Sequence, residues 1–198
     1  CVNNYRPISL TSIPCKIMES IIRDHIVEHF DRNKLFSKKQ FGFIKGRSTV
    51  LQMLNVLDKW TEALEEGGCI DAIYTDFEKA FDKVPHKRLL SKLKAYGLSE
   101  DIVNWVEQFL CFRSHRIKVN GKYSFWHKVL SGIPQGSILG PLLFVIYIND
   151  LVELCDDHAS IFLFADDAKI FRHIRSNNDQ LELQEACNIL STWSAKWL

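Results

Sequence analysis

Three aspartates are the residues of this sequence best suited to chemistry. Asp76 ends a run of β-forming residues, CIDAIYTD, and the adjacent pair Asp166–Asp167 follows the apolar run SIFLFA. Carboxylates held close together raise each other's pKa unless a cation neutralises them. Carboxylates are also ligands that Mg²⁺ prefers, and two such ions can stabilise both the attacking and the leaving oxygen of a phosphoryl transfer.

The residues around the aspartate pair favour a metal site over a solvated turn. An Asp-Asp dipeptide alone is most often a solvated turn. Here β-forming segments flank it, residues 160–165 before and 168–173 after, which predicts a hairpin with both carboxylates in its turn. The strand that ends at Asp76 supplies a third carboxylate, so we expect the three to converge.

The spacing of apolar residues predicts the elements that hold these carboxylates. A helix over residues 48–66 would turn its leucines inward, namely Leu51, Leu54, Leu57 and Leu64. The dipeptide Asn120-Gly121 between two β-forming segments marks a two-residue hairpin. A strand is predicted at 69–76, and further helices at 14–30, 86–96, from 100 onward, at 139–154 and at 178–198. Helices with a small, largely antiparallel sheet in this order indicate an α+β fold.

Charge is distributed unevenly along a nearly neutral chain. The 198 residues carry a net charge of +1, with 46% hydrophobic and 25% charged residues, which is an ordinary globular composition. No Asp or Glu occurs from Gln108 to Asn149, a stretch that contains Arg113, Arg116, Lys118, Lys122 and Lys128. A second basic cluster lies between residues 32 and 47. Such clusters either bind phosphate or solubilise the surface, and charge alone leaves both readings open.

Cysteine usage and hydropathy indicate a reducing compartment. The six cysteines show no C-x-x-C spacing, which argues against zinc and for reduced thiols. The most apolar run, Ile138–Ile148, is too short to span a bilayer, and the sequence shows no signal peptide. We therefore expect an intracellular, non-membrane protein that is a piece of a longer polyprotein.

Five segments resemble the motifs of reverse transcriptases of the non-LTR (LINE-type) retrotransposon branch, and they occur in the order of that family. YTDFEKAFDKVPH and FADD are similar to the two motifs that carry catalytic aspartates. SGIPQGSILGPLLFVIYINDL resembles the motif between them. NYRPISL and QFGFIKGRST resemble two finger motifs of the non-LTR branch. Any one of these segments would be a weak signal, but five in order cover nearly the whole chain.

The resemblance implies a fold and a reaction. The fold would be a right-hand polymerase with fingers, mainly residues 1–68, and palm, mainly residues 69–198, and with the thumb absent. The reaction would be RNA-directed DNA synthesis on an RNA template from a DNA primer and dNTPs. The metal ligands implied are Asp76, Asp166, Asp167 and the backbone carbonyl of Phe77, which would hold two Mg²⁺ or Mn²⁺ ions.

The resemblance also implies a setting. The whole element would carry out target-primed reverse transcription, with endonuclease and thumb regions in the same polyprotein and the nucleus as the site of action.

Several residues are candidates for contacts with the nucleotide. By resemblance, the SGIPQGS loop lies against the incoming nucleotide, which selects Gln135 and Gly136. Arg47, Lys45 and Arg6 are three alternatives for binding the triphosphate, and each could equally be ordinary surface charge. Many relatives carry Arg where this chain has Ile44, which shifts the expectation towards Lys45 or Arg47.

Phe81 and Asp82 follow the first catalytic aspartate. By resemblance, an aromatic residue at the position of Phe81 lies beneath the sugar and excludes a 2′ hydroxyl. The alternative is that Phe81 is a core residue of a short helix. We expect a structural role for Asp82, near the nucleotide.

Competing interpretations remain at this point. An enzyme of the group II intron type shares the chemistry, although the segments KVPH and NYRPISL favour the non-LTR branch. A catalytically dead relic or an RNA-binding module on the same fold would not need three costly carboxylates, and a fragment without independent function is the last alternative. The rings among the basic residues 113–128 suit a nucleic-acid track, but the alternating pattern favours core packing for some of them.

Overall fold

A computed structural model describes residues 6–197, which form two compact units. Cys1 and the first two residues of the NYRPISL segment, Asn4 and Tyr5, lie outside the described residues. The first unit combines the chain up to Lys34 with Phe81–Leu143, and the second combines Leu35–Ala80 with the chain from Phe144 onward. This grouping crosses the boundary at residue 68, and the assignment to fingers and palm stays a prediction.

The elements follow one another in a mixed order along the chain. They are α1 (Ile13–Arg32), α2 (Thr49–Glu65), β1 (Cys69–Asp76), α3 (Ala80–Lys83), α4 (His86–Ala95), α5 (Glu100–Leu110), β2 (Ser114–His115), β3 (Lys118–Val119), β4 (Lys122–Tyr123), β5 (His127–Lys128), α6 (Gly140–Ile148), α7 (Leu151–Cys155), β6 (Ser160–Phe164), β7 (Asp167–Ile174) and α8 (Asn177–Trp197). Helices around a small antiparallel sheet were predicted, and this mixed fold is confirmed. Within residues 6–197, no helix has the length and apolarity needed to cross a bilayer.

A three-stranded sheet forms the centre of the second unit. Its strand order is β1-β7-β6, and both pairings are antiparallel. Eight residue pairs align β1 with β7, from Cys69 opposite Ile174 to Asp76 opposite Asp167. A short parallel bridge between Gln40 and Leu163 adds the preceding segment beside β6. The sheet therefore brings residues 40, 76 and 167 into one structure although they are far apart in sequence.

Both faces of this sheet are covered within the second unit. On one face, Phe162 and Phe171 form a buried cluster with Phe41 and Val56 of α2, and Trp60 packs against it. On the other face, alternate residues of β7 are buried, namely Ala168, Ile170 and Ile174. Because successive side chains of a strand point to opposite faces, burial on both sides fixes the register of β7. A slip by one residue would move Ala168, Ile170 and Ile174 to the face of the aromatic cluster and would take Phe171 out of it.

The predicted inward face of α2 is wrong. Leu54 is 57% exposed, and Leu51, Leu57 and Leu64 are exposed as well. The residues that α2 buries are Gln52, Val56 and Ala63. The helix has two apolar faces, and periodicity alone does not tell which of them meets the sheet. The aromatic residues of β6 and β7 select the face that carries Val56 and Trp60.

Two other helices differ from expectation. In α1, Ile26 and Phe30 are buried, but Ile17, Met18 and Ile21 at the start of the same apolar stripe are exposed. The helix predicted at 139–154 is interrupted, because Asn149 and Asp150 form a turn between α6 and α7. The Asn149 side chain donates to Leu35 O at 2.8 Å and accepts from Ser37 N at 2.9 Å, so it serves tertiary contacts at the break.

The first unit packs helices and carries two short β ribbons. Phe30 of α1, Leu93 of α4 and Val106 of α5 are fully buried in this unit. The predicted Asn120-Gly121 hairpin is confirmed, because Lys118 pairs with Tyr123 on either side of that turn. The cysteines within the described residues are free thiols, as predicted.

Candidate active site

Asp76 and Asp167 lie directly opposite each other on the adjacent strands β1 and β7. They are register partners at the end of the β1–β7 ladder. The Cβ atoms of directly opposite residues lie about 4.5–5.5 Å apart, with their side chains on one face of the sheet. Both aspartates are exposed. The sheet therefore presents two carboxylates side by side to solvent.

Asp166 lies in the two-residue turn that joins β6 to β7. Phe164 and Asp167 are register partners on either side of this turn, and Ala165 and Asp166 form it. Ala165 has φ 55°, in the left-handed region, and Asp166 is half-buried. The expectation that both members of the pair lie in the turn is therefore corrected: Asp167 is the first residue of β7. The reason is that a two-residue loop closes this hairpin.

The same ladder shows how unusual the Asp76–Asp167 pairing is. Near its other end, Asp71 lies opposite Arg172, a pair of opposite charges. Opposite charges across strands are favourable, whereas like charges directly opposite destabilise the sheet. Repulsion between Asp76 and Asp167 therefore lowers the free energy of unfolding, and a bound cation would offset this loss.

The donor set fits a divalent metal that is completed by other ligands. Within residues 6–197, no group of three or more His, Cys, Asp or Glu is arranged as a preformed metal shell. Mg²⁺ usually keeps several waters and binds one or two carboxylates plus substrate phosphates, rather than an all-protein cage. Two opposed carboxylates with Asp166 beside them supply the hard oxygen ligands of such an open site.

Phe77 follows Asp76 and leads into a turn. Its carbonyl accepts a hydrogen bond from Ala80 N at 3.1 Å. A carbonyl oxygen has two lone pairs, so this bond leaves one for a cation. The ring of Phe77 packs edge-on against Trp193, with centroids 5.8 Å apart. The predicted metal ligation by Phe77 stays a prediction.

Gln40 and Gly42 contact the turn formed by Ala165 and Asp166, and the sequence did not reveal either contact. Gln40 is fully buried, and its Oε1 accepts from Ala165 N at 3.0 Å. A Cβ on Gly42 would lie 2.2 Å from the same nitrogen. The sequence signal was a polar residue within the apolar QFGF segment, but its partner lies 125 residues further along the chain.

The three basic candidates have different surroundings. The guanidinium of Arg47 donates to Ser37 O and to Gln40 O, the latter at 2.5 Å. Lys45 is exposed beside it in the chain, and Arg6 is an exposed residue of the first unit. Arg47 is thus engaged with backbone carbonyls, which leaves Lys45 as the more accessible cation of the KGR segment.

The first unit holds the SGIPQGS loop against the segment after the first catalytic motif. Ile133 N donates to Phe81 O at 2.7 Å, and Gly132 N donates to Val84 O at 2.9 Å. The Gln135 amide donates to Asp82 Oδ1 at 2.9 Å. The structural role expected for Asp82 is therefore a contact that orients Gln135. Phe81 is half-buried.

Glu19 anchors the helix that follows this loop, a role that the sequence did not reveal. Its side chain is fully buried, and Oε2 accepts from Ile138 N at 2.7 Å and from Leu139 N at 3.0 Å. These amides precede α6, where a carboxylate is favoured by the orphan donors and the dipole of a helix start. Glu19 therefore fixes the exit of the SGIPQGS loop.

A basic and aromatic ribbon covers residues 111–130 of the first unit. Core packing was expected for some of the rings, and Tyr123, Trp126 and Phe125 are not among the packed ones, since they are 52%, 62% and 89% exposed. Tyr123 ends β4, whereas Phe125 and Trp126 lie in the segment between β4 and β5. The guanidinium of Arg116 lies 4.0 Å from the Tyr123 ring centroid and 4.7 Å from that of Trp126.

Arg113, near the base of this ribbon, is different. It donates to Leu110 O at 3.2 Å. Desolvation by burial lowers its pKa, and the nearby Cys15, Cys111 and Glu19 oppose this shift. Arg113 thus serves the interior of the first unit rather than its surface.

A cavity of about 370 Å³ lies at the opposite end of the sheet from the aspartates. Its lining includes Ile70, Phe171 and His173. Charged residues around it are engaged with each other, as in the Arg175–Glu66 and Arg172–Asp179 ion pairs. The exposed carboxylates, rather than this cavity, are the candidate for chemistry.

Comparison with known proteins places the chain in a family. Residues 2–198 match the family described as reverse transcriptase (RNA-dependent DNA polymerase). The chain belongs to this family. It is 30% identical over 203 residues to the RNA-directed DNA polymerase from mobile element jockey of Drosophila melanogaster, covering 99% of the chain and 22% of that protein. It is 29% identical over 208 residues to a probable RNA-directed DNA polymerase from transposon BS of the same fly, covering 98% of the chain and 22% of that protein.

These relatives confirm the resemblance to non-LTR reverse transcriptases, and the reverse transcriptase chain spans about a fifth of their length. Among solved structures, a telomerase from Candida albicans in complex with a fragment of telomeric RNA is similar, with a TM-score of 0.65 and 13% identity. The match covers 89% of this chain and 32% of that chain. At this identity, the likeness supports the fold alone.

We predict that Asp76→Asn raises the stability of the metal-free reverse transcriptase chain and weakens Mn²⁺ binding. Loss of one of two opposed charges should increase the free energy of unfolding by about 0.2–1 kcal/mol. Isothermal titration should show an affinity for Mn²⁺ at least tenfold lower, and likewise for Asp166→Asn. Asp71→Asn in the same strand is the control, because Asp71 faces Arg172. Equal Mn²⁺ binding by the wild type and Asp76→Asn would contradict the site.

Proposed function

We propose that this chain is the catalytic core of an RNA-directed DNA polymerase that transfers nucleotides from dNTPs to a primer 3′ hydroxyl with two metal ions. The observation that carries the proposal is the register that sets Asp76 opposite Asp167, beside Asp166 in the adjoining turn. Membership of the reverse transcriptase family gives this carboxylate group a reaction, because phosphoryl transfer requires positioned oxygen ligands for divalent ions.

The carboxylates of Asp76, Asp166 and Asp167, with the carbonyl of Phe77, would hold the two ions. When bound, Mg²⁺ or Mn²⁺ would supply the charge that lowers the pKa of the primer hydroxyl and neutralises the triphosphate and the leaving pyrophosphate. In this mechanism, no side chain of the protein forms a covalent bond with the substrate. Its contribution is a rigid sheet end that keeps the carboxylates at one separation and orientation.

The nucleotide contacts rest on resemblance. Gln135 and Gly136 would lie against the incoming nucleotide, and Phe81 would lie beneath its sugar. The hydrogen bond from Gln135 to Asp82 supports this role because it restricts the side chain of Gln135. Among the basic candidates, exposed Lys45 is favoured over Arg47 for the triphosphate, since Arg47 already donates to two carbonyls. Arg6 stays a third candidate.

The wider assignment is drawn from the relatives. An RNA template, a DNA primer and dNTPs would be the partners, and target-primed retrotransposition would be the process. Endonuclease and thumb regions would belong to the same polyprotein, which would act in the nucleus. The support for this is the match to jockey, of which the reverse transcriptase chain covers 22%.

RNA-templated primer extension tests the activity. The chain would replace the matching region of the jockey polymerase, so that the remaining regions are present. We expect dNTP incorporation on an RNA template, and a loss of about 10³-fold in rate for Asp166→Asn, because a metal contributes several kcal/mol to the transition state. Asp157→Asn is the matched control, since Asp157 belongs to a second Asp-Asp pair, exposed in the turn after α7. Undiminished extension by Asp166→Asn would refute the proposed function.

The ribbon at residues 111–130 is expected to bind single-stranded nucleic acid. Exposed rings stack on bases, and neighbouring cations contact phosphates. Fluorescence anisotropy with a single-stranded RNA should show binding that falls steeply with salt. Trp126→Ala should weaken it by about 1–3 kcal/mol, and Arg116→Ala should also reduce the salt slope by about one. Arg88→Ala is the control, because Arg88 is an exposed residue of α4. Unchanged binding by both ribbon variants would assign this surface to a protein partner instead.

Phe81→Val separates a sugar gate from a core residue. As a gate, the substitution should raise ribonucleotide incorporation at least tenfold while deoxynucleotide synthesis continues, because the clash with the 2′ hydroxyl is removed. As core, the same change should lower both activities together, with a cost of a few kcal/mol at most. Single-nucleotide extension with dNTP and rNTP in the jockey background measures both. An unchanged selectivity ratio would exclude the gate.

A further inference from the structure

The turn that carries Asp166 has a conformation that needs support. Ala165 has φ 55°, and a left-handed conformation costs a non-glycine residue about 1–2 kcal/mol. Ala165 immediately precedes Asp166 in a two-residue loop, so its backbone angles determine where the Asp166 carboxylate points. The contacts that fix the backbone of Ala165 therefore also set the direction of the Asp166 side chain.

Gln40 makes the contacts that hold Ala165. Its Oε1 accepts from Ala165 N at 3.0 Å and from Gly42 N at 2.7 Å, and its Nε2 lies 3.4 Å from Ala165 O. One side-chain amide thus contacts both the N–H and the C=O of the same strained residue. A side-chain amide offers both a donor and an acceptor without ionising. Because Gln40 is fully buried, water does not compete for these bonds.

The backbone around Gln40 is placed by further contacts in the same unit. Leu163 N donates to Lys39 O, and Phe41 N donates to Leu163 O, both at 2.8 Å. Residues 39–41 therefore run beside β6 at the base of the turn. At Gly42, a Cβ would lie 2.2 Å from Ala165 N and 2.9 Å from Ala165 Cα. A side chain at position 42 would push this segment away from the turn.

Arg47 and Asn149 hydrogen-bond to the backbone of residues 35–40, which precede and include Gln40. Arg47 donates to Gln40 O at 2.5 Å and to Ser37 O. Asn149 donates to Leu35 O at 2.8 Å and accepts from Ser37 N at 2.9 Å. A series of polar contacts thus runs from Asn149 through Ser37 and Arg47 to Gln40 and ends on the catalytic turn.

We propose that Gln40 is a positioning residue that fixes the Ala165–Asp166 turn, with Gly42 as the residue that permits its approach. The consequence for catalysis rests on the proposed function, but the effect on the turn does not. Gln40 touches no substrate in this scheme and acts through the direction of Asp166.

Hydrogen exchange followed by NMR tests the contact in the wild-type chain. The amides of Ala165 and Gly42 should exchange at least tenfold more slowly than that of Gly121, which lies in an exposed two-residue turn. In Gln40→Met, which keeps the volume and removes both polar groups, their exchange should accelerate at least tenfold. Fast exchange of both amides in the wild type would overturn the proposal, and this measurement needs no variant to fold.

Mn²⁺ titration tests whether the contact aims Asp166. Gln40→Met should bind Mn²⁺ at least tenfold more weakly than the wild type, whereas Gln52→Met, at another buried glutamine of the second unit, should bind equally. Ala165→Gly should reduce the effect of Gln40→Met, because glycine adopts the left-handed conformation without the steric cost. Unchanged Mn²⁺ affinity in Gln40→Met despite accelerated exchange would make Gln40 structural only and overturn the proposal. Absence of Mn²⁺ binding in the wild type would instead refute the metal site. Slow exchange of the Ala165 and Gly42 amides would in that case still support the contact of Gln40 with the turn.

Discussion

The packing of β7 on both of its faces is the constraint on which the candidate site depends, because it sets Asp76 opposite Asp167. Two like charges directly opposite each other in a sheet are unfavourable, so the register that opposes them must be imposed by other residues. Packing on both faces of β7 imposes it, because a shift by one residue would move Ala168, Ile170 and Ile174 into the aromatic cluster and Phe171 out of it. Apolar packing along the strand thus holds the carboxylates at its end against their repulsion.

Local patterns in the sequence predicted the elements well. The strand at 69–76 matches β1, because β-forming residues end abruptly in a polar turn. The Asn120-Gly121 hairpin also formed as expected, since two-residue turns of this composition specify their own geometry. The leucines of α2 could not be placed in this way. Which face of a helix is buried depends on residues such as Phe171, which lies more than 100 residues further along the chain.

The candidate site likewise contains residues that the sequence revealed and residues that only tertiary contacts reveal. Resemblance and strand patterns selected Asp76, Asp166 and Asp167, and the second unit brings them to one end of its sheet. Gln40 was missed because a polar residue that follows Lys38 and Lys39 reads as surface, and the sequence does not show its partner. The backbone contacts of Arg47 were equally invisible. A guanidinium suits carbonyls and phosphates alike, so the tertiary environment decides between them.

Under the proposed function, the end of the sheet that carries the aspartates cannot be held by burial, because its carboxylates would have to stay open to ions and substrate. Hydrogen bonds to the turn replace burial there, and each contributes about 1 kcal/mol net. That is close to the cost of the left-handed Ala165, so the turn is held by a narrow margin. A bound cation favours the conformation that it binds best, and this coupling is reciprocal. The contact of Gln40 with Ala165 should therefore strengthen metal binding, and bound metal should in turn stabilise that contact.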